Sequence, residues 1–495
     1  MTTTGEDRSR SWQSAPVTET ATQTLHRLTS YSPDRDWDIP FDDPRVVQDF
    51  VSTDIDRFPW FYKRYGERLP TIALPRDLPS TTAPALTVMA GTAAIRPAEL
   101  DLAQLSRLLH LSAGVVRTTV RPYTTWLFRA AGSAGSRSPF ELYVAVPDGN
   151  EHLPGGVHWY HPQDHALVRV APPPRSGAPT VVVTGVPWRT GWRYRERGYR
   201  HIWWDTGTML SQLLASADSA GLSSRLFTRF PDAAVGELVG SDGVHEWPLA
   251  VIALGDGPPA IEAAGGAAAG EVDWAPRELP LVTAAQRAGD MDDLGPPWEP
   301  GRPVDVPLTG GPPVEEVILT RGSQRRMDPT RGVSGELLRT SMDVAMRGID
   351  IPHFVVVHAV DGFEAGVYRW PDLSAPVRRG KLREEMFRVA LDQDLARDAA
   401  FVVIGAADVR SLGDRGYREA QLASGIVEGR LHLAAYALGA SATGMTFLDS
   451  EIPALLGEQL DSMLWTCVGV PDYPSRPGGP PGEPTPIRMV TPGGS

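Results

Sequence analysis

Three arginine-bearing stretches hold most of the chemistry this sequence offers. In Arg321-Gly-Ser-Gln-Arg-Arg-Met-Asp-Pro329, the residues Arg321, Ser323 and Arg325 alternate, so an extended backbone turns them to one side. Two guanidinium forks and a hydroxyl suit a phosphate dianion, and equally a solvated basic segment at the start of a domain. In Arg129-Ala-Ala-Gly-Ser-Ala-Gly-Ser-Arg-Ser-Pro-Phe140, the small residues Ser133, Ala134, Gly135 and Ser136 lie between a helix and a buried strand. Such a stretch lets backbone approach a ligand closely, or forms a flexible loop. In Trp188-Arg-Thr-Gly-Trp-Arg-Tyr-Arg-Glu-Arg-Gly-Tyr-Arg200, arginines and aromatics precede a helix. That composition fits a lid over a planar anionic ligand, or a structural arginine network.

Other chemistry is weaker. His158, His161 and His165 have the spacing of metal ligands, but a hairpin reading makes them exposed loop residues and no metal site is expected. Cys467 is the single cysteine, which excludes a disulfide framework. Lysine occurs only at Lys63 and Lys381. Ser441 in Gly439-Ala-Ser-Ala-Thr-Gly444 does not fit a nucleophile elbow, and neither a P-loop nor a strand–GxGxxG–helix unit is present. The net charge of −13 argues against nucleic acid as a partner. No apolar run reaches the roughly 18 residues of a membrane span, and Met1 to Thr20 lacks the apolar stretch of a signal peptide. The expectation is a soluble cytoplasmic protein with a disordered segment over 1–20.

The elements that must position these stretches come in two copies. Arg197-Gly-Tyr-Arg200 recurs as Arg415-Gly-Tyr-Arg418, and Gly207, Leu213 and Gly221 match Gly425, Leu431 and Gly439, all at an offset of 218. The run Pro139 to Val146 resembles His353 to Val360, and each precedes a Gly-Val hairpin, at Gly156 and Gly366. Pro248 to Gly255 resembles Ser462 to Gly469. Each copy reads as an early helix (102–114; 335–347), a strand and hairpin, a further strand (180–184; 400–404), a long helix (201–219; 419–438) and a last strand. This is α+β. The domains expected are 21–255 and 315–470, with a Pro/Gly-rich linker over 256–314 and a C-terminal arm over 471–495. Two copies of one fold in one chain imply an intramolecular pseudo-dimer.

With these residues in view, the sequence resembles the FMN-dependent nitroreductase superfamily, specifically the SagB/ThcOx-type azoline dehydrogenases of ribosomal peptide modification. Ser133-Ala-Gly135 before Phe140 looks like that family's Pro-Ser-Ala-Gly flavin loop, with Gly132 in place of the proline. Arg193-Tyr194 looks like its Lys-Tyr pair, with arginine for lysine. Arg321, Ser323 and Arg325 look like its N-terminal phosphate motif, and Arg488 stands where a C-terminal arginine meets the same phosphate. Thr446-Phe447 stands where the family has Gly-Gly beside the flavin.

The resemblance implies FMN as cofactor, held by Arg321, Ser323, Arg325, Arg488, Ser133, Ala134, Gly135, Ser136, Thr446 and Phe447. Copy two carries the phosphate motif and copy one the flavin loop and lid, so one composite site and one FMN per chain are expected. It implies oxidation of a thiazoline or oxazoline in a precursor peptide, beside a cyclodehydratase. Arginine cannot serve as a base. The expectation is therefore that Arg193 lowers the pKa of Tyr194 and leaves its phenolate as the base. The alternatives are another flavin oxidoreductase, acting on nitro compounds, quinones or a dehydroamino acid, and a flavin-free scaffold for enzymes or peptide. The chain is expected to act as a monomer with an internal pseudo-dimer or as a homodimer.

Overall fold

The computed structural model of the chain describes residues 19–34, 43–47, 52–307 and 310–491. Most of the segment expected to be disordered, residues 1–18, lies outside the described residues. Thr20 caps the first helix, α1 (Ala21–Leu28), in a capping box with Gln23.

Each lobe is built on an antiparallel sheet. Continuous apolar runs such as Thr180–Gly185 and Phe401–Ala407 are buried along their whole length. Strands covered on both faces need that composition. In the first lobe five strands run in the spatial order Gly156–His161, Phe140–Val146, Thr180–Gly185, Trp247–Leu254, Ser224–Phe227. In the second lobe Gly366–Arg369, His353–Val357, Phe401–Ala407, Asp461–Gly469 and Ser441–Met445 follow the same order. The fold is α+β, with two structurally similar lobes packed together.

Two long helices join the lobes. α2 (Gly198–Ser219) and α5 (Asp414–Ala437) are buried on nearly every side, because each is wrapped by both lobes. They lie side by side in the same direction, and residues separated by 218 positions meet. Tyr199 and Tyr417 stack with ring centroids 6.5 Å apart. A Cβ on Gly207 would lie 2.6 Å from the carbonyl carbon of Gly425, and one on Gly425 would lie 2.4 Å from the carbonyl oxygen of Trp204. Only glycine allows backbones to approach so closely.

The connecting segment has more structure than its composition suggests. It carries helix α3 (Pro280–Ala288), whose Leu281, Val282 and Ala285 join the main core, and α4 (Val314–Thr320) begins at its end. The C-terminal arm returns to the first lobe. Thr485–Pro486 pairs with Val115–Val120, which forms a hairpin with Thr125–Arg129. The N–H of Ile487 donates to Thr118 O at 2.8 Å.

One expectation is corrected at this level. His158 and His165 are not exposed loop residues; both are about 1% exposed. The ring of His165 bonds Ser106 Oγ at 2.6 Å and Tyr160 OH at 2.9 Å, and His158 bonds Pro154 O. A strand of the first lobe carries His158 inward.

Candidate functional site

A cleft of about 990 Å³ opens where the two lobes meet. The first lobe supplies the turn Ser133 to Ser136, Arg193, Tyr194 and the α2 residues His201, Trp204 and Asp205. The second supplies Arg321, Ser323, Arg325, Glu428 of α5, Thr446 and, from the arm, Arg488. Every residue singled out from sequence for this site therefore lines one cleft, except Phe447.

Phe447 is the exception by its side chain, which leaves only its backbone for the cleft. Its side chain is fully buried in the second lobe and stacks on Trp465 at 5.4 Å. Neighbouring side chains of an extended segment point to opposite sides, so Thr446 takes the cleft and Phe447 the core. Thr446 Oγ1 is buried and has no hydrogen-bond partner among the described residues.

Contacts across the junction are close. A Cβ on Gly132 would lie 3.4 Å from both Arg321 Nη1 and Ser323 Oγ. The glycine in the proline's place thus faces the basic motif of the other lobe. Arg321 is buried and its guanidinium donates to Ala130 O, while Arg117 donates to the carbonyl oxygen of Arg321 at 2.9 Å. Burial, and then the charge of Arg117, lower the Arg321 pKa to about 10, so it stays cationic at neutral pH. The backbone N–H of Arg325 donates to Tyr473 OH at 3.1 Å.

The small-residue turn is held in a strained shape. Gly135, Ser136 and Ser138 have φ of 58°, 54° and 43°, a region costly for serine. Asp205 fixes it: Ser133 Oγ donates to Oδ2 at 2.6 Å and the N–H of Ala134 donates to Oδ1 at 2.9 Å. Arg137, between the two strained serines, is fully buried, with its guanidinium 4.3 Å from the Phe58 ring centroid and 4.8 Å from that of Phe61. A Cβ on Gly135 would meet Arg193 Cδ at 2.7 Å and Tyr194 OH at 3.2 Å, so the turn lies directly against the lid. The lid itself is a helix, Pro187–Tyr194, followed by a tight turn.

Tyr194 stacks on His201, with centroids 4.1 Å apart and ring planes 19° apart. Its pKa is raised: burial dominates, and the charge of Arg193 offsets only part of it. The expected phenolate base is therefore not available at neutral pH. The Tyr194 hydroxyl keeps its proton. Burial, with the charges of Arg197, Arg200 and Arg193, also holds His201 well below its usual range, so its ring is neutral.

Sequence reading missed two buried carboxyls. Burial pushes Asp205 up to about 8, against the hydrogen bonds from Ser133 and Ala134. Burial pushes Glu428 up to about 7, against Thr208 Oγ1, which donates to it at 3.0 Å, and the charge of Arg321. The available signal was an acid inside each of two long helices that sequence repetition predicts to pair.

Comparison with known proteins fits this architecture. No protein-family model matches the sequence. A crystal structure assigned as a nitroreductase from Anabaena variabilis superposes over 92% of this chain and 100% of its own, with a TM-score of 0.70 and 24% identity. That likeness shows the fold of the whole two-lobed chain. A protein of Methanocaldococcus jannaschii, likewise assigned as a nitroreductase, is 28% identical over 173 residues, which is 32% of this chain and 81% of that protein. The chain thus shares the fold of the Anabaena protein over nearly its whole length. Within that fold the cleft between the lobes is the feature to interpret.

Proposed function

We propose that the chain is an FMN-dependent oxidoreductase with one composite site per polypeptide. The observation that carries this reading is the approach of Gly132 in one lobe to Arg321 and Ser323 in the other, inside a cleft that also holds Arg193 and Tyr194. The lining fits the cofactor. Arg321, Arg325, Arg488 and Ser323 match the chemistry of a phosphate monoester. The space beside Gly132 would be filled by any side chain, and the orphaned Thr446 Oγ1 awaits a polar partner. FMN, when bound, supplies reversible two-electron transfer.

The chain's own residues do the rest. Asp205 holds the Ser133 turn, Arg193 presents a permanent positive charge, and Tyr194 holds a proton on its hydroxyl. The substrate reading favoured by the sequence resemblance is dehydrogenation of a thiazoline or oxazoline in a precursor peptide, beside a cyclodehydratase. A second reading is favoured by the protonated Tyr194. A phenol beside an arginine suits delivery of a proton to an acceptor that is being reduced, such as a nitroarene, quinone or dehydroamino acid.

The purified protein decides the first step: a yellow colour with absorbance near ~450 nm supports bound flavin, and a colourless protein that takes up no added FMN overturns it. A thiazoline peptide under air, set against a nitroarene with reduced enzyme, then separates the two substrate readings.

A further inference from the structure

The cationic lining of the cleft exceeds what one phosphate requires. Arg121, Arg193, Arg325 and Arg488 all line it, and none has a carboxylate within ion-pair distance among the described residues. A phosphate monoester carries about two negative charges, which the Arg321, Arg325 and Arg488 group already matches. Arg121 and Arg193 are in surplus. They belong to the first lobe, on the hairpin and on the lid, whereas the phosphate group comes from the second lobe and its arm.

The lining carboxyls do not cancel that surplus. Asp205 and Glu428 are pushed up by burial, and Asp394 is taken by Arg397 at 2.6 Å, which leaves Asp392 of the second lobe against the several arginines. The surplus charges also reach the phosphate group. After burial, Arg193 and Arg121 are among the charges that lower the pKa of Arg325, so the guanidiniums repel one another until an anion enters. Aromatic residues of the same hairpin line the cleft with Arg121. Tyr123 is 50% exposed at the hairpin tip, and Trp126 lines the cleft with a buried indole N–H that has no acceptor. A guanidinium beside aromatic faces and an unpaired N–H is a receptor for a flat carboxylate.

We propose that the substrate of this cleft is a planar, carboxylate-bearing molecule, gripped by Arg121 and Arg193 and laid against Tyr123 and Trp126. The proposal rests on the flavoenzyme reading for the chemistry, but the anion subsite is measurable without turnover.

The test is calorimetric titration of the full chain in saturating FMN with benzoate, benzamide and pyrophosphate. Benzoate should bind about tenfold or more tightly than benzamide, since a charge-assisted contact is worth about that much, and added salt should weaken it. Arg121→Ala should remove the preference while flavin content and benzamide binding stay unchanged. Arg229→Ala, distant from the cleft, should keep it. Equal affinity for benzoate and benzamide, a preference that survives in Arg121→Ala, or binding of pyrophosphate without benzoate would each overturn the proposal. Failure of the flavin reading shows separately, as absence of the band near ~450 nm, whatever the titrations give.

Discussion

The lobes meet along two junctions that share a framework and differ in what they hold. At one, Arg197 and Arg200 of the first lobe each donate to Asp449 of the second at 2.6 Å. At the other, Arg415 and Arg418 of the second lobe reach Asp232 of the first, at 2.7 and 3.4 Å. Above the first pair lies the cleft. Above the second lies the connecting segment: the N–H of Trp298 donates to Leu226 O at 2.6 Å, and that of Gly295 donates to Arg229 O at 3.0 Å.

Residues matched at the offset of 218 tell the same story. Thr446 has a free hydroxyl in the cleft, whereas Thr228 donates to Glu419 at 2.8 Å. Glu428 and Asp205 of the open junction correspond to Leu210 and Ala423 of the filled one. A site needs buried polar groups held in reserve; the filled junction has replaced them with hydrocarbon and closed contacts. This difference is what supports a single flavin site.

The comparison can be broken in several ways, and the largest effect should come from the shared framework. Asp449→Ala would strand two buried guanidiniums and should cost about 3–5 kcal/mol of stability in denaturant titration. Asp232→Ala should cost less, because Arg418 keeps a second partner in Asp290 at 3.1 Å. Equal losses would mean that the two junctions carry load alike. Next, Arg325→Ala should weaken FMN binding about 10- to 100-fold, as expected for removing a charge-assisted contact. Glu419→Ala at the filled junction should leave FMN binding unaltered, and flavin titration should give one equivalent per chain. Two equivalents would remove the asymmetry.

A smaller effect concerns pH. Asp205 and Glu428 have folded pKa values of about 8 and 7, above their ordinary 3.8 and 4.5. Raised carboxyls stabilise the fold fully below their unfolded pKa values, and that contribution is lost as pH rises through about 7 and 8. The melting temperature should therefore fall as pH rises from about 4 to about 8, the span between the unfolded and folded values. Asp205→Asn and Glu428→Gln should each flatten the fall. An unchanged slope in the double variant would show that these carboxyls do not carry it. The smallest effect belongs to the Arg229–Glu419 pair at the rim of the filled junction, where the arginine side chain is 50% exposed. Arg229→Ala should cost no more than about 1 kcal/mol.

Much of this was legible in the sequence. The ungapped 218-residue offset predicts two similar lobes because helices that pair in register must repeat their glycines where the backbones touch, as Gly207 and Gly425 do. The three arginine-bearing stretches, the serine-glycine turn among them, converge on one cleft. What stayed hidden depends on neighbours distant in sequence. The pKa of Tyr194 rises because burial outweighs Arg193, and burial is not visible in a dipeptide. Asp205 acquires its role only when Ser133, 72 residues away, is brought within 2.6 Å. The packing of the connecting segment also stayed hidden, because Gly and Pro conceal how its Trp298 and α3 side chains bury.

The backbone contact between Gly207 and Gly425 has one further consequence. In an assembly of identical subunits, every substitution at such a seam would appear twice, facing itself. Joined in one polypeptide, the partners are separate genetic positions, and each can drift alone. That freedom allows one junction to keep an open cleft while its counterpart is filled, and the seam between them remains the element neither half can alter without the other.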